Sequence, residues 1–172
     1  ENHSPGFRIW GDKTPMNTLY LNWIGDVFPQ SKFIHIIRDG RDVTSSYLKM
    51  ERYETILDAA NRWTNSIDLA QAFGSKIKEN YLEIRYEDLV TNPDKSIKKV
   101  CDFLDVMYNS DMLDHTSQVG KLGDTGRLHH ANLSKPISSE SIGKWKHNLS
   151  EDDQESITKL LHKPLHRLGY VD

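Results

Sequence analysis

The segment 32–50 constrains the fold more than any other part of this sequence. Residues 32–38 (Lys-Phe-Ile-His-Ile-Ile-Arg) form an almost unbroken run of β-branched and aromatic residues that ends in a cation. Such a run is typical of a parallel strand that is covered on both faces. Gly40 then permits a tight turn, and a helix is predicted from about Arg41 to Met50.

The rest of the sequence continues this alternation of strands and helices. The other predicted elements are strands at 7–10 and 81–86 and helices at 16–28, 55–73, 93–104 and beyond Ser150. The Ser150 hydroxyl is expected to cap the last helix, which should carry Ile157, Leu160 and Leu161 inward. Strands that alternate with helices predict an α/β fold with a parallel sheet. The length of 172 residues is typical of one domain. Three strands are few for such a sheet, so we expect this single domain, residues 1–172, to be incomplete at its N-terminus.

Composition and charge exclude several classes of function. The formal net charge of -3 provides no overall basic field, so no binding of nucleic acid is expected. The apolar stretches are too short to span a membrane. Cys101 is the single cysteine, which excludes an intrachain disulfide and favours a reducing compartment, so we expect a cytoplasmic location.

A metal site is not expected, although the chain has eight histidines. His162 and His166 have the spacing at which two helical side chains can share a zinc ion. Pro164 lies between them and is expected to break the helix. No third ligand is evident in the sequence near this pair.

Arg38 and Ser46 have the pattern of an anion-binding site. Arg38 ends the strand, and parallel sheets bind ligands beyond the carboxyl ends of their strands. The helix that follows directs free N–H groups and a partial positive charge to the same place. A terminal phosphate needs a charged fork and a neutral donor, which an arginine and a serine supply. From spacing alone, an ion pair of Arg38 with Asp39 or Asp42 is an equal alternative.

Five short motifs resemble those of the sulfotransferases that use 3′-phosphoadenosine 5′-phosphosulfate (PAPS). Residues 38–42 (Arg-Asp-Gly-Arg-Asp), followed by Ser46, resemble the 3′-phosphate motif of this family, especially of tyrosylprotein sulfotransferases and their bacterial relatives. The other matches, in family order, are Gly-Asp-Lys-Thr-Pro at 11–15, Tyr-Glu-Asp-Leu-Val at 86–90, Lys-Pro-Ile at 135–137 with Gly-Lys-Trp at 143–145, and Leu-Gly-Tyr at 168–170. Each motif alone is common, but five in register over the whole chain are specific.

The resemblance implies a P-loop-like three-layer fold with a parallel sheet, and transfer of a sulfuryl group from PAPS to a hydroxyl or amine, without a metal. The acceptor can be a small molecule, a glycan, a lipid or a peptide. The implied nucleotide-binding residues are Arg38 and Ser46 at the 3′-phosphate, Tyr86 against the nucleotide, and Lys144 as a second cation. A loop from about 129 to 138, which includes Lys135 and Ser138, is implied to wrap the nucleotide.

The resemblance also implies catalytic residues. Lys13 is expected beside the sulfuryl group, where its ammonium stabilises the transition state; without the resemblance it reads as a solvated loop lysine. His129 stands where the tyrosylprotein enzymes carry a serine, and it can donate a hydrogen bond or act as an acid or base. The general base is expected upstream of Lys13, and Asp12 is a weaker candidate.

Two departures from the family pattern qualify these expectations. No Gly-rich loop for the 5′-phosphosulfate is found in the sequence, so the 172 residues alone are expected to bind nucleotide weakly and to turn nothing over. Met50 also replaces an arginine of the tyrosylprotein enzymes, with Lys49 or Arg52 as possible substitutes. The alternatives are a non-catalytic nucleotide-binding module and a P-loop nucleotide kinase-like enzyme.

Overall fold

Two parallel strands, β1 (Phe33–Ile37) and β2 (Tyr81–Arg85), form the sheet in the residues that the computed structural model describes, 9–114 and 136–172. Phe33 pairs with Tyr81 and Ile37 with Arg85. Because the register has no offset, both strands end at the same edge. The next residues of the chain, Arg38 and Tyr86, therefore leave the sheet side by side.

Eight α-helices accompany these strands within the described residues. They are α1 (Leu21–Val27), α2 (Gly40–Lys49), α3 (Ile56–Gly74), α4 (Tyr86–Thr91), α5 (Pro93–Leu104), α6 (Trp145–Asn148), α7 (Glu151–Leu160) and α8 (His162–Arg167). Short 3-10 helices occur at Pro15–Leu19, Lys78–Asn80 and Ser110–Leu113. Most of the predicted elements are confirmed, with ends within a few residues of the predicted ones.

Local chemistry explains where several helices begin. The Asp39 carboxylate accepts the N–H of Arg41 and caps α2. The Thr55 hydroxyl accepts the N–H of Asp58 at the start of α3. Each such cap satisfies an N–H group that has no partner within the helix and contributes about 1 kcal/mol. The predicted cap of α7 by Ser150 is confirmed, since its hydroxyl accepts the N–H of Asp153.

The core lies between one face of the sheet and the long helix α3. The rings of Phe33 and Phe73 meet edge to face with centroids 4.8 Å apart. Further along the helix, Trp63 and Ile67 pack with Ile37. Residues of α7 and α8 and of the turn between them complete this cluster: Ile157, Leu161 and Leu165. Apolar contact with three helical segments therefore fixes the end of β1, at which Arg38 begins.

The expectation that β1 is covered on both faces is wrong for the described residues. Ile34 and Ile36 are 37 % and 52 % exposed, whereas Ile37 is 4 % exposed. The reason is that α3 and the helices packed with it lie on the face of Phe33 and Ile37. A run of apolar residues cannot tell a strand covered on both faces from one whose second face is open.

Other sequence expectations also differ from the structure. The helix predicted at 16–28 is divided at Tyr20, where a 3-10 helix meets α1. Tyr86 begins α4 and does not end a strand. Of the strand predicted at 7–10, residues 9 and 10 are not in a strand, and residues 7 and 8 lie outside the described ranges. Leu160, predicted to face inward, is 47 % exposed because α7 ends there and Leu161 takes the core position.

The predicted break at Pro164 is displaced. The helix ends at Leu160 and α8 begins at His162, so Pro164 lies in the first turn of α8, where its missing N–H is not required. The rings of His162 and His166 stack with centroids 6.2 Å apart. In the described ranges, 9–114 and 136–172, no three potential metal ligands come together.

Candidate anion-binding site

The two residues that follow the strands form one contact. The guanidinium carbon of Arg38 lies 4.8 Å from the centroid of the Tyr86 ring, within the range of a cation–π interaction. This contact follows from the sheet, because the parallel register of β1 and β2 brings both residues to one edge. Two predicted site residues, 48 positions apart in the sequence, are thus neighbours.

Arg38 is held on several sides, yet one of its donors has no partner. Its Nη2 donates to the carbonyl oxygen of Ser141 at 2.5 Å and lies 3.7 Å from the Asp42 carboxylate. Its own carbonyl oxygen accepts the indole N–H of Trp63 at 3.2 Å. Its Nε is buried and has no hydrogen-bond partner among the described residues. A buried donor on a charged, fixed side chain is costly unless a ligand meets it, and an anion oxygen suits it.

The ion pairs that the sequence offered as an alternative are divided between two arginines. Arg38 is close to Asp42, while Asp39 pairs with Arg41 at 2.7 Å. The Arg41 guanidinium also lies 4.5 Å from the centroid of the Trp145 ring. Arg41 is therefore engaged by its neighbours, and Arg38 keeps an unpaired donor.

Asp42 brings the distant segment 141–145 against Arg38. Its carboxylate oxygens accept the N–H groups of Gly143 at 2.8 Å and of Trp145 at 3.0 Å. Lys144 lies between these two residues and is exposed. The segment that carries the predicted second cation is thus fixed to the helix that follows Arg38.

Ser46 lies one helical turn beyond Asp42 on α2. Residues four apart share a face of a helix, so Ser46 follows Asp42 along the face that meets Arg38. Its side chain is partly buried, and its hydroxyl lies 4.0 Å from the Met50 sulfur. A thioether is a weak acceptor, so this hydroxyl keeps its capacity to donate to a stronger one.

Glu87 is a site-supporting residue to which the sequence analysis assigned no role. One of its carboxylate oxygens accepts the N–H of Asp39 at 2.9 Å, and the other accepts the Tyr170 hydroxyl at 2.8 Å. Burial, followed by the charge of Glu87, raises the pKa of Tyr170 well above its ordinary value, so the phenol stays protonated and donates. Glu87 lies in the motif at 86–90 and Tyr170 in the motif at 168–170. These two matched motifs are the sequence signal that could have pointed to this contact.

Comparison with known proteins shows the family to which this chain belongs. A family model described as "Sulfotransferase family" matches residues 1–110. The chain belongs to the sulfotransferase family. Its relatives include Protein-tyrosine sulfotransferase 1 of Danio rerio, 27 % identical over 171 residues that cover 92 % of this chain and 47 % of the relative. Protein-tyrosine sulfotransferase A of Caenorhabditis elegans is 26 % identical, covering 92 % of this chain and 44 % of the relative.

Solved structures confirm the sulfotransferase fold. The sulfotransferase domain of the Synechococcus PCC 7002 olefin synthase has a TM-score of 0.70 and 25 % identity, covering 88 % of this chain and 57 % of that one. The fold is therefore the expected α/β, P-loop-like one with a parallel sheet. This sulfotransferase-family chain spans about half the length of the curated relatives it matches.

Other predicted site residues lie outside this cluster. Lys13 is exposed, on the segment before the 3-10 helix Pro15–Leu19, and no contact among the described residues joins it to Arg38. Asp12 accepts hydrogen bonds from Asn17 at 2.7 Å and from Thr14 at 3.3 Å, so its carboxylate stabilises that helix.

Three predicted residues belong to the nucleotide loop expected from about 129 to 138. Ser138 is described and is exposed. His129 and Lys135 lie outside the described ranges, and their roles stay predictions. Among the helices of the described residues, none combines the length and apolar character that a membrane span requires.

Proposed function

We propose that residues 1–172 are the part of a sulfotransferase domain that supplies its 3′-phosphate site, and that this domain transfers a sulfuryl group from PAPS to a hydroxyl or amine acceptor. In this proposal Arg38 binds the 3′-phosphate of the donor. The observation that carries the proposal is the buried, unpaired Nε of Arg38 at the carboxyl edge of the sheet. Membership of the sulfotransferase family supports the reaction class.

The surroundings of Arg38 suit a doubly charged phosphate ester. Nη2 donates to the Ser141 carbonyl, whereas the buried Nε has no partner among the described residues and can donate to an incoming oxygen. Ser46 supplies a neutral donor from α2, and Lys144 supplies a second cation from the segment tied to Asp42. Charge-assisted hydrogen bonds of this kind are about twice as strong as neutral ones.

Contacts on the non-phosphate sides keep the guanidinium in place before the ligand arrives. The ring of Tyr86 covers one face of the guanidinium, and the Trp63 indole fixes the Arg38 carbonyl oxygen. A preorganised donor loses little conformational freedom on binding, which favours affinity. In this proposal Tyr86 contributes to the nucleotide site through Arg38 as well as by direct contact.

Lys13 and His129 are the proposed catalytic residues at the reacting end. In sulfuryl transfer the bond from sulfur to the bridging phosphate oxygen breaks while a bond to the acceptor oxygen or nitrogen forms, and the acceptor gives up a proton. The Lys13 ammonium offsets the negative charge that grows on the bridging oxygen, and it therefore stabilises the transition state more than the ground state. His129 donates a hydrogen bond or accepts a proton near the reacting group.

Calorimetric titration with 3′-phosphoadenosine 5′-phosphate (PAP) tests the proposal. Arg38→Ala should weaken binding by about 2–3 kcal/mol, roughly 30- to 150-fold in Kd, because it removes a charge-assisted pair with the phosphate. Arg167→Ala is the matched control, since Arg167 forms a half-exposed ion pair with Asp68 on the surface. The control should bind PAP like the wild type.

The outcomes separate the competing functions. No binding of PAP, or binding that is indifferent to Arg38→Ala, contradicts the 3′-phosphate site. Binding that depends on Arg38 without any transfer from PAPS, in the longest version of the protein that can be expressed, indicates a non-catalytic nucleotide-binding module.

A further inference from the structure

Asp42 is a buried charge whose bonds cross the site. It is 2 % exposed, and its side chain is completely covered. Burying a carboxylate is costly unless its oxygens are hydrogen-bonded and its charge is compensated. Two N–H groups, of Gly143 and Trp145, meet the oxygens, and Arg38 lies at 3.7 Å.

These bonds join parts of the chain that are distant in sequence. Gly143 and Trp145 lie 101 and 103 residues after Asp42. Gly143 has a φ of +72°, a conformation that glycine adopts without strain, and it turns the backbone so that both N–H groups reach one carboxylate. The Ser141 carbonyl is bonded to Arg38 from the same segment. Asp42 and Arg38 thus hold segment 141–145 as a pair, one through its N–H groups and the other through a carbonyl.

We propose that Asp42 is a positioning residue for donor binding: it fixes segment 141–145 so that Arg38 and Lys144 meet the same phosphate. This inference rests on the proposed function and adds to it a residue that does not touch the donor. Asp42 acts through the backbone, because both of its oxygens are directed to N–H groups and not to the ligand.

Electrostatics alone makes the opposite prediction, which allows a decisive test. Removing a carboxylate that lies 3.7 Å from Arg38 raises the local positive potential. If Asp42 acted only through its charge, its neutralisation would tighten the binding of an anion. If it positions the segment, neutralisation weakens binding, since an amide can accept one of the two N–H groups but presents a donor to the other.

The experiment compares PAP with adenosine 5′-monophosphate (AMP), which lacks the 3′-phosphate. Calorimetry gives the ratio of the two Kd values for wild type, Asp42→Asn and Asp68→Asn. In Asp42→Asn the preference for PAP over AMP, expressed as the ratio of the two Kd values, should be about tenfold smaller than in the wild type. The affinity of this variant for AMP should change by less than about twofold. Asp68→Asn removes the same charge from a surface ion pair and should keep the wild-type ratio.

A loss of overall fold would lower both affinities together and leave the ratio unchanged, so the ratio separates positioning from stability. If Asp42→Asn lacks the helical circular dichroism of the wild type, Asp42→Glu replaces it. That variant keeps the charge and moves the carboxylate by one methylene, and the preference for PAP should fall again.

Failure of the inference differs from failure of the proposed function. If the wild type prefers PAP through Arg38 but Asp42→Asn keeps or increases that preference, the positioning role is refuted and the phosphate site stands. If the wild type does not distinguish PAP from AMP, the phosphate site itself is refuted, and the positioning role with it.

Discussion

Arg38 and Lys13 are the two cations that carry opposite ends of the proposed donor site, and their surroundings differ sharply. Arg38 contacts Ser141, Asp42 and Tyr86, and its own backbone is bonded to a buried tryptophan. Lys13 is exposed on a segment that packs through the short helix after it. Contacts on several sides hold the first cation before any ligand binds, whereas the second is exposed to solvent.

The contrast between Arg38 and Lys13 indicates which part of the proposed reaction is prepared in the described residues. In the proposed function the 3′-phosphate is the same in the donor and in the product PAP, so a rigid Arg38 would hold the nucleotide throughout. A cation for the reacting end gains most if it engages only as charge develops. Four substitutions or conditions test the contrast, ordered by their expected effect on the free energy of unfolding.

Trp63→Ala should have the largest effect. Trp63 is 4 % exposed, packs with Ile37 and Ile67, and donates its indole N–H to the Arg38 carbonyl. Its removal leaves a cavity and an unpaired carbonyl, and should cost about 3–5 kcal/mol. Urea denaturation measures this cost. Trp23→Ala is the control, because Trp23 lies on α1 and is 64 % exposed. Equal costs for the two variants would contradict the contrast.

Gly40→Ala should come next. A Cβ at Gly40 would lie 2.8 Å from ring carbons of Trp63, so α2 or the indole must move, at a cost of about 1–3 kcal/mol. Gly11→Ala is the matched control, because a Cβ at Gly11 meets nothing within 4 Å. Thermal or urea unfolding should therefore separate the same substitution at two sites. If Gly40→Ala left the free energy of unfolding unchanged, the start of α2 would be packed less tightly against Trp63 than the structure indicates.

A fall in pH should lower the free energy of unfolding through His35, which lies in β1 three residues before Arg38. Burial lowers the pKa of His35 below its ordinary value of 6.5, an effect that Glu83 partly opposes by its charge and hydrogen bond. The unfolded chain thus binds a proton more readily than the folded one. Stability is lost as the pH falls below about 6.5, with a slope of at most about 1.4 kcal/mol per pH unit from this residue.

The pH dependence can be assigned by substitution. His35→Gln should flatten the stability curve between pH 7 and 5, whereas the exposed His147→Gln should leave it unchanged. A wild-type slope that survives His35→Gln would locate the titrating group elsewhere. The phenol of Tyr81, 2.7 Å from His35, keeps its proton in this range because burial, followed by Glu83, raises its pKa.

Lys13→Ala should have the smallest effect. An exposed side chain contributes less than about 0.5 kcal/mol to unfolding. Adenosine 3′-monophosphate lacks the 5′-phosphate that carries the bridging oxygen, so calorimetry should also show an unchanged affinity for this nucleotide. Lys95→Ala, on the exposed side of α5, provides the reference. If Lys13→Ala weakened the binding of adenosine 3′-monophosphate as much as Arg38→Ala does, the two cations would not serve separate ends of the donor.

The sequence anticipates the elements whose information is local. The apolar run before Arg38 predicts β1, and Ser150 predicts the start of α7. The turn expected at Gly40 differs from the structure, because Gly40 is the first residue of α2 and its φ is not positive; the close approach of Trp63 is what requires a glycine there. The contact of Arg38 with Tyr86 is a consequence of the register of β1 and β2; the alternation of strands and helices indicates that the strands are parallel but not which residues pair. Their roles toward the nucleotide come from the resemblance alone and stay predictions.

Long-range contacts account for what the sequence did not reveal. Asp42 and Glu87 bond to groups that are 101 and 83 residues away, and no periodicity relates such positions. The spacing of Arg38 and Asp42 suggested only a surface ion pair, whereas Asp42 is covered and mainly serves backbone N–H groups. The open face at Ile34 and Ile36 was missed because strand composition reports burial on average, not on each side.

A crystal structure of the chain with PAP tests the central claim most directly. The account predicts one 3′-phosphate oxygen about 3 Å from Arg38 Nε, a second within reach of the Ser46 hydroxyl, and the Asp42 bonds to Gly143 and Trp145 retained. A 3′-phosphate bound elsewhere, with Arg38 Nε still unpaired, would contradict it.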